Sequence, residues 1–106
     1  GYSSAASDVY KRQLEEGFYD KDYNTAVCLM SLGYDGRALE IMLGQPDTPD
    51  RNYLLAILYS RLGREEEAVR SFVRACEEDA SKIWRGRLDP EINKLIVTYN
   101  LYKDEY

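Results

Sequence analysis

Apolar and polar positions alternate at helical spacing along most of the chain, most clearly from Asn52 to Ala80. Leu55, Ile57, Leu58, Tyr59 and Leu62 predict one amphipathic helix, and Ala68, Val69, Phe72, Val73 and Ala75 a second. Arg70, Arg74, Glu77 and Glu78 fall largely on the opposite face of that second helix, and Gly63 marks the turn between the two. Small residues at Ala56, Ala68 and Ala75 stand against large ones at Leu55, Tyr59 and Phe72, so two antiparallel helices can approach closely and interlock. Leu55, Tyr59, Ala68 and Phe72 are therefore the expected core of this pair.

Residues Asp22 to Gly44 repeat the pattern. Tyr23 matches Tyr53, Ala26 matches Ala56, Leu32-Gly33 matches Leu62-Gly63, Ala38 matches Ala68 and Met42 falls opposite Phe72, all at an offset of 30 residues. Gly33 and Gly63 are expected just past the first helix of each copy, in a left-handed conformation. The first copy's second helix is the shorter one. It ends at Leu43-Gly44, where Gly44 suggests a left-handed cap and Pro46 forbids continuation. Thr48 and Pro49 then read as the cap and first position of the next helix.

The flanks are less regular. Ser7 to Gly17 offers a cap, a weak stripe (Val9, Tyr10, Leu14) and a glycine stop, which predicts a short helix. Gly1 to Ala6 are small and polar and are expected to be disordered. After Ala80 the pattern breaks at Ser81 to Arg87, where Trp84 is expected to anchor the closing helix by packing. Asp89, Pro90 and Glu91 then open a last helix carrying Ile92, Leu95, Ile96, Tyr99 and Leu101, and Lys103 to Tyr106 reads as a frayed tail. Glu65, Glu66 and Glu67 suit a helix start, and Glu66–Arg70 and Arg74–Glu78 are spaced for ion pairs of about 0.2–0.5 kcal/mol each.

Leu55, Ala56, Tyr59, Leu62-Gly63, Ala68, Phe72 and Ala75, in that order and spacing, resemble a tetratricopeptide repeat. Asn52 departs from the family pattern where an aromatic is typical, and Ala80 where a proline usually closes the repeat. The resemblance implies an all-α fold of antiparallel helix-hairpin repeats, a fragment of a right-handed solenoid. On it, the chain is a single helical domain over 1–106. An N-terminal helix covers 7–17, a first repeat with a shortened second helix 20–44, a second repeat 49–82, and a C-terminal capping helix 89–102. The family period is about 34 residues, so the first copy lacks about four.

The first helix of each repeat in such arrays lines an inner surface. That places Tyr23, Val27 and Met30 from the first copy, and Tyr53, Ile57, Ser60 and Arg61 from the second, on a ligand groove. The family's carboxylate clamp is absent, because Tyr23, Val27, Tyr53 and Ile57 occupy its positions. The implied function is a protein–protein interaction module taking a peptide or protein segment on this apolar, aromatic face. Two alternatives stay open: a structural spacer or homodimer surface, and a groove filled by the chain's own closing helix or N-terminal segment.

Composition narrows the chemistry. Across 106 residues the net charge is −5, which opposes a nucleic-acid backbone as partner, and Trp84, Arg85 and Arg87 form too small a basic cluster to reverse that. Histidine is absent, which removes the commonest general base and the commonest metal ligand together. No phosphate-cradling glycine loop occurs, and Asp20-Lys21-Asp22 lacks the glycine and glutamate of a calcium loop. No enzymatic activity, cofactor or metal is expected. Cys28 and Cys76 read as two small core-facing thiols. No apolar run approaches the ~20 residues of a membrane span, so no membrane insertion is expected. The start at Gly1, without methionine, reads as a cut end, which leaves the cellular compartment open.

Overall fold

The computed structural model describes residues 21–102, and these form an all-α fold of six helices with no strand among the described residues. The helices are α1 (Tyr23–Ser31), α2 (Asp35–Leu43), α3 (Pro49–Arg61), α4 (Glu65–Glu78), α5 (Ser81–Leu88) and α6 (Pro90–Thr98). The helix expected over 7–17, the polar start at Gly1 to Ala6 and the tail from Lys103 lie outside the described residues.

Three helices begin at side-chain caps, those at Thr48 and Asp89 as expected. Asp22 Oδ1 accepts from Thr25 N at 2.8 Å, Thr48 Oγ1 from Arg51 N at 3.2 Å, and Asp89 Oδ1 from Glu91 N at 3.0 Å. Pro49 and Pro90 occupy first-turn positions, where a missing N–H is harmless. The ends of α1 and α3 repeat one hydrogen-bond pattern at the 30-residue offset. Gly33 and Gly63 have φ of 87° and 79°. Their N–H groups bond the carbonyls of Met30 and Ser60, while Tyr34 and Arg64 bond those of Leu29 and Tyr59. Together these bonds make a Schellman motif at each turn. α6 ends in the same way, with Asn100 at φ 56° taking the left-handed position.

Gly44 does not. Its φ of −84° is right-handed, so the expected left-handed cap is replaced by side chains from elsewhere. Arg51, on α3, donates from Nε to Met42 O and from a terminal nitrogen to Leu43 O, at 3.2 and 3.1 Å. A guanidinium thus satisfies the last carbonyls of α2 and complements its dipole. Gln45 adds bonds to Ile41 O and Lys21 O.

Asn52, the residue out of step with the family pattern, is fully buried. Its amide nitrogen donates to Asp47 and Glu78, and its oxygen accepts from Arg51 at 2.9 Å. A buried amide left unbonded costs about 1–3 kcal/mol, and here every group has a partner. Arg74 completes this network by bonding Asp47, so it ties α4 to the α2–α3 loop and not to Glu78, as its spacing had suggested. The Arg74 guanidinium and then the Asn52 amide hold the Asp47 carboxyl down to about 2. Glu66–Arg70 does pair as spaced, at 2.9 Å.

The core runs through every helix. Leu55, Ala68 and Phe72 are buried as expected, whereas Tyr59 is half-buried beneath the Arg64 guanidinium. α1 packs on α2, α2 on α3, and α3 on α4. Ser81 to Leu88, where the apolar pattern fails, is nevertheless helical. Its buried side is Lys82, Ile83 and Gly86, of which only Ile83 registers as apolar in sequence. The Lys82 stem counts as apolar surface while its ammonium reaches Asp50 at 2.6 Å. Gly86 lets the α5 backbone lie against Phe72 and Ile92: a Cβ there would stand 2.7 Å from the Phe72 ring. Cys76 is buried, and burial raises its thiol to about 11, whereas Cys28 is half-buried.

Two outcomes follow for stability. Gly86→Ala is expected to lower unfolding free energy by about 1–3 kcal/mol in urea titrations, because overpacking outweighs alanine's better helix propensity. Asp47, with its pKa lowered in the folded state, contributes stability above the ordinary aspartate range of about 4. That contribution is lost as pH falls through its folded value near 2. Melting temperatures of Asp47→Asn should therefore decline less steeply than the parent's over that interval, and parallel curves would show that Asp47 is uncoupled.

Candidate functional site

The seven groove candidates do not form one open surface. Tyr53 is 0% exposed, Met30 8% and Ile57 7%, while Tyr23, Val27 and Ser60 are half-buried. At Tyr53 the reason is α6, which packs against α3 and buries Ile92, Leu95 and Ile96. The Tyr53 hydroxyl donates to Asp89 Oδ2 at 3.0 Å, so the residue that caps α6 also seats it on α3. Burial and the neighbouring Asp89 carboxylate together raise the Tyr53 phenol well above the ordinary range. The Arg85 guanidinium covers the ring, 4.4 Å from its centroid. The expectation of partly exposed groove side chains thus fails at Tyr53, Ile57 and Met30, which belong to the core.

Arg61 is a joint. Its Nε and one terminal nitrogen bond the two Glu91 carboxylate oxygens, each at 2.8 Å. The other terminal nitrogen reaches Asp35 Oδ1 at 3.1 Å and Met30 O at 3.3 Å. One guanidinium therefore links the end of α1, the start of α2, the end of α3 and the start of α6. The bidentate pair orients as well as attracts, and it pulls the Glu91 carboxyl below the usual range. Nothing in the local sequence at Arg61 signals this, since Glu91 lies far along the chain.

The outer side of α5 carries two of the exposed large apolar side chains among the described residues. Trp84 is 57% exposed and Leu88 86%, four residues apart and hence on one helix face. Trp84 was expected to anchor the closing helix; Ile83 and Gly86 do that, and the indole is left outside with the Arg87 guanidinium 4.6 Å from its centroid. Ser81 and Arg85 border this face. On the Arg85 side lie Lys82, Asp50 and the half-buried Tyr23, whose phenol is raised by burial and then by Asp50, with Arg85 and Lys82 opposing. The helix carries Lys82, Arg85 and Arg87 without an acidic residue, in a chain of net charge −5.

Among the described residues no group of His, Cys, Asp or Glu is arranged to hold a metal ion, and no helix is long and apolar enough to cross a membrane. No family model, curated protein or solved structure matches this chain. Because Tyr53 fills the space under α6, Tyr53→Ala is expected to lower stability by about 3–5 kcal/mol, read by chemical denaturation. A loss below about 1 kcal/mol would mean that α6 does not rest on this ring.

Proposed function

We propose that the chain is a tetratricopeptide-like protein–protein interaction module that receives a partner segment on the outer side of α5. The observation carrying this reading is the exposure of Trp84 beside Leu88 on a helix whose other side is packed. Tryptophan and arginine dominate the energetics of protein interfaces, and a large apolar side chain held on a rigid helix is already ordered before binding. Arginines next to the indole favour a partner segment that pairs apolar side chains with carboxylates. The tetratricopeptide reading draws on the hydrogen-bond pattern shared by the turns at Gly33 and Gly63, and on the fully buried alanines Ala26, Ala56, Ala38 and Ala68 at matched positions.

The filled inner face favours a second reading, a structural spacer or self-associating element with no separate ligand. The two separate on Trp84, the one tryptophan in the chain. On the interaction reading, a partner captured from the native source quenches or blue-shifts the indole emission. Trp84→Ala weakens that capture at least tenfold, by the ~2 kcal/mol of a hot spot, while moving the melting temperature little. Equal affinity for parent and variant would overturn this docking face.

A further inference from the structure

A single residue interrupts the helical backbone between α4 and α5. Asp79 has φ −151° and ψ 103°, while Ala80 beyond it is right-handed at φ −60° and ψ −22°. Neither glycine nor proline occurs from Glu65 to Arg85, so no residue of the kind that breaks helices enforces the interruption. Side chains hold it instead. Asp79 Oδ1 accepts from Ser81 N at 3.0 Å and from Ser81 Oγ at 2.7 Å, and Lys82 Nζ lies 3.8 Å from Asp79 Oδ2. Turning Asp79 into the helical region would join α4 and α5 into one helix from Glu65 to Leu88, about 36 Å long. α6 would leave α3 with it.

Such a straightening uncovers two complementary surfaces. One is the seat on α3 and α4 at Tyr53 and Phe72; the other is the inner side of the α5–α6 hairpin at Ile83, Ile92, Leu95 and Ile96. A second copy of the chain presents both. We infer that this seat also accepts the α5–α6 hairpin of a second copy, two chains straightening at Asp79 and exchanging hairpins to form a closed two-fold dimer.

Two straight helices crossing antiparallel between Glu78 and Asp79 place Phe72 of each chain near Gly86 of the other, the contact made within one chain. The exchange is independent of the partner-binding reading, because Trp84 stays on the outer side of the exchanged hairpin.

Two substitutions at the interruption act in opposite directions. Ala80→Pro suits the observed φ, and Asp79 before it is already extended, as a residue preceding proline prefers; a continuous helix is then blocked. Asp79→Ala removes the carboxylate that bonds Ser81 and supplies the best helix former. Light scattering of the full chain over a concentration series should show Ala80→Pro at the 12.3 kDa monomer mass and Asp79→Ala moving to twice that mass. A monomeric Asp79→Ala at every concentration, or dimerisation of both variants, overturns the inference. Exchange is told from surface association by adding Arg61→Glu to one Asp79→Ala sample and Glu91→Arg to another. Each chain alone then sets like charges at the α3–α6 joint, and an exchanged heterodimer restores opposite charges at both joints. Mixing should enrich the heterodimer well above the statistical share, and a statistical mixture would refute exchange.

Discussion

Phe72 is the point at which three parts of the chain meet, and the arrangement of the C-terminal half depends on how closely each can approach its ring. Tyr53 of α3 stands edge-on to it at 6.1 Å between centroids, and Tyr102 does the same from the C-terminal side at 6.0 Å. The third approach is backbone. Gly86 brings α5 so near that any Cβ would overlap both the Phe72 ring and Ile92. Since α5 leads directly into Asp89, its distance from Phe72 fixes where the α6 cap can meet the Tyr53 hydroxyl. Moving α5 outward by the width of a methyl group therefore disturbs the aromatic contacts and the α3–α6 joint together.

Away from that hub the helix pairs are joined by arginines. Arg51 closes the end of α2, Arg74 holds the α2–α3 loop to α4 through Asp47, and Arg61 binds α6 to both helix pairs. Isolated exposed ion pairs contribute about 0–1 kcal/mol, so none of these carries the fold alone. Their value is orientation: a planar guanidinium that meets two or three fixed acceptors sets an angle as well as a distance. Asn52 extends the same logic inward. It replaces apolar filling at the α2–α3 joint with a satisfied amide, so a short, proline-containing loop is held in one conformation.

The parts of this fold legible in the sequence are those set by neighbours along the chain. Thr48 and Asp89 cap the helices they precede, and Gly33 and Gly63 turn where a positive φ is needed. The pairing of Leu55, Ala68 and Phe72 follows from a periodicity that any packed helix pair must satisfy. What was not legible depends on contacts distant in sequence. α5 shows too few apolar positions to announce a helix, because a lysine stem and a glycine form most of its buried side. Arg74 had a suitable glutamate one turn away and bonds Asp47 from another loop instead. Gly44 looked like a left-handed cap, but Arg51 already satisfies the carbonyls such a cap would serve. The groove residues failed in the same way: the stripe on α3 is apolar whether a ligand or the chain's own α6 covers it, and periodicity does not distinguish the two.

That ambiguity has a consequence for how binding and folding are connected. The hairpin that packs on α3 is also the element that displays Trp84 and Leu88. A ligand holding α5 in its observed place stabilises the seating of α6 on Tyr53 and Arg61, because both helices move as one hairpin. By linkage, anything that unseats α6 weakens such a ligand by the same factor. Acid acts at this joint in a definite direction. The Glu91 carboxyl is held below its ordinary range mainly by Arg61, so its contribution is present above the unfolded glutamate range of about 4.3. It is lost as pH falls through the lowered folded value. The Tyr53–Asp89 bond needs the phenolic proton and survives far into alkali, because that proton is held above its ordinary range. The hairpin is thus anchored at one point that weakens in acid and at another whose phenolic proton is lost only at high pH, and both anchors hold across the neutral interval.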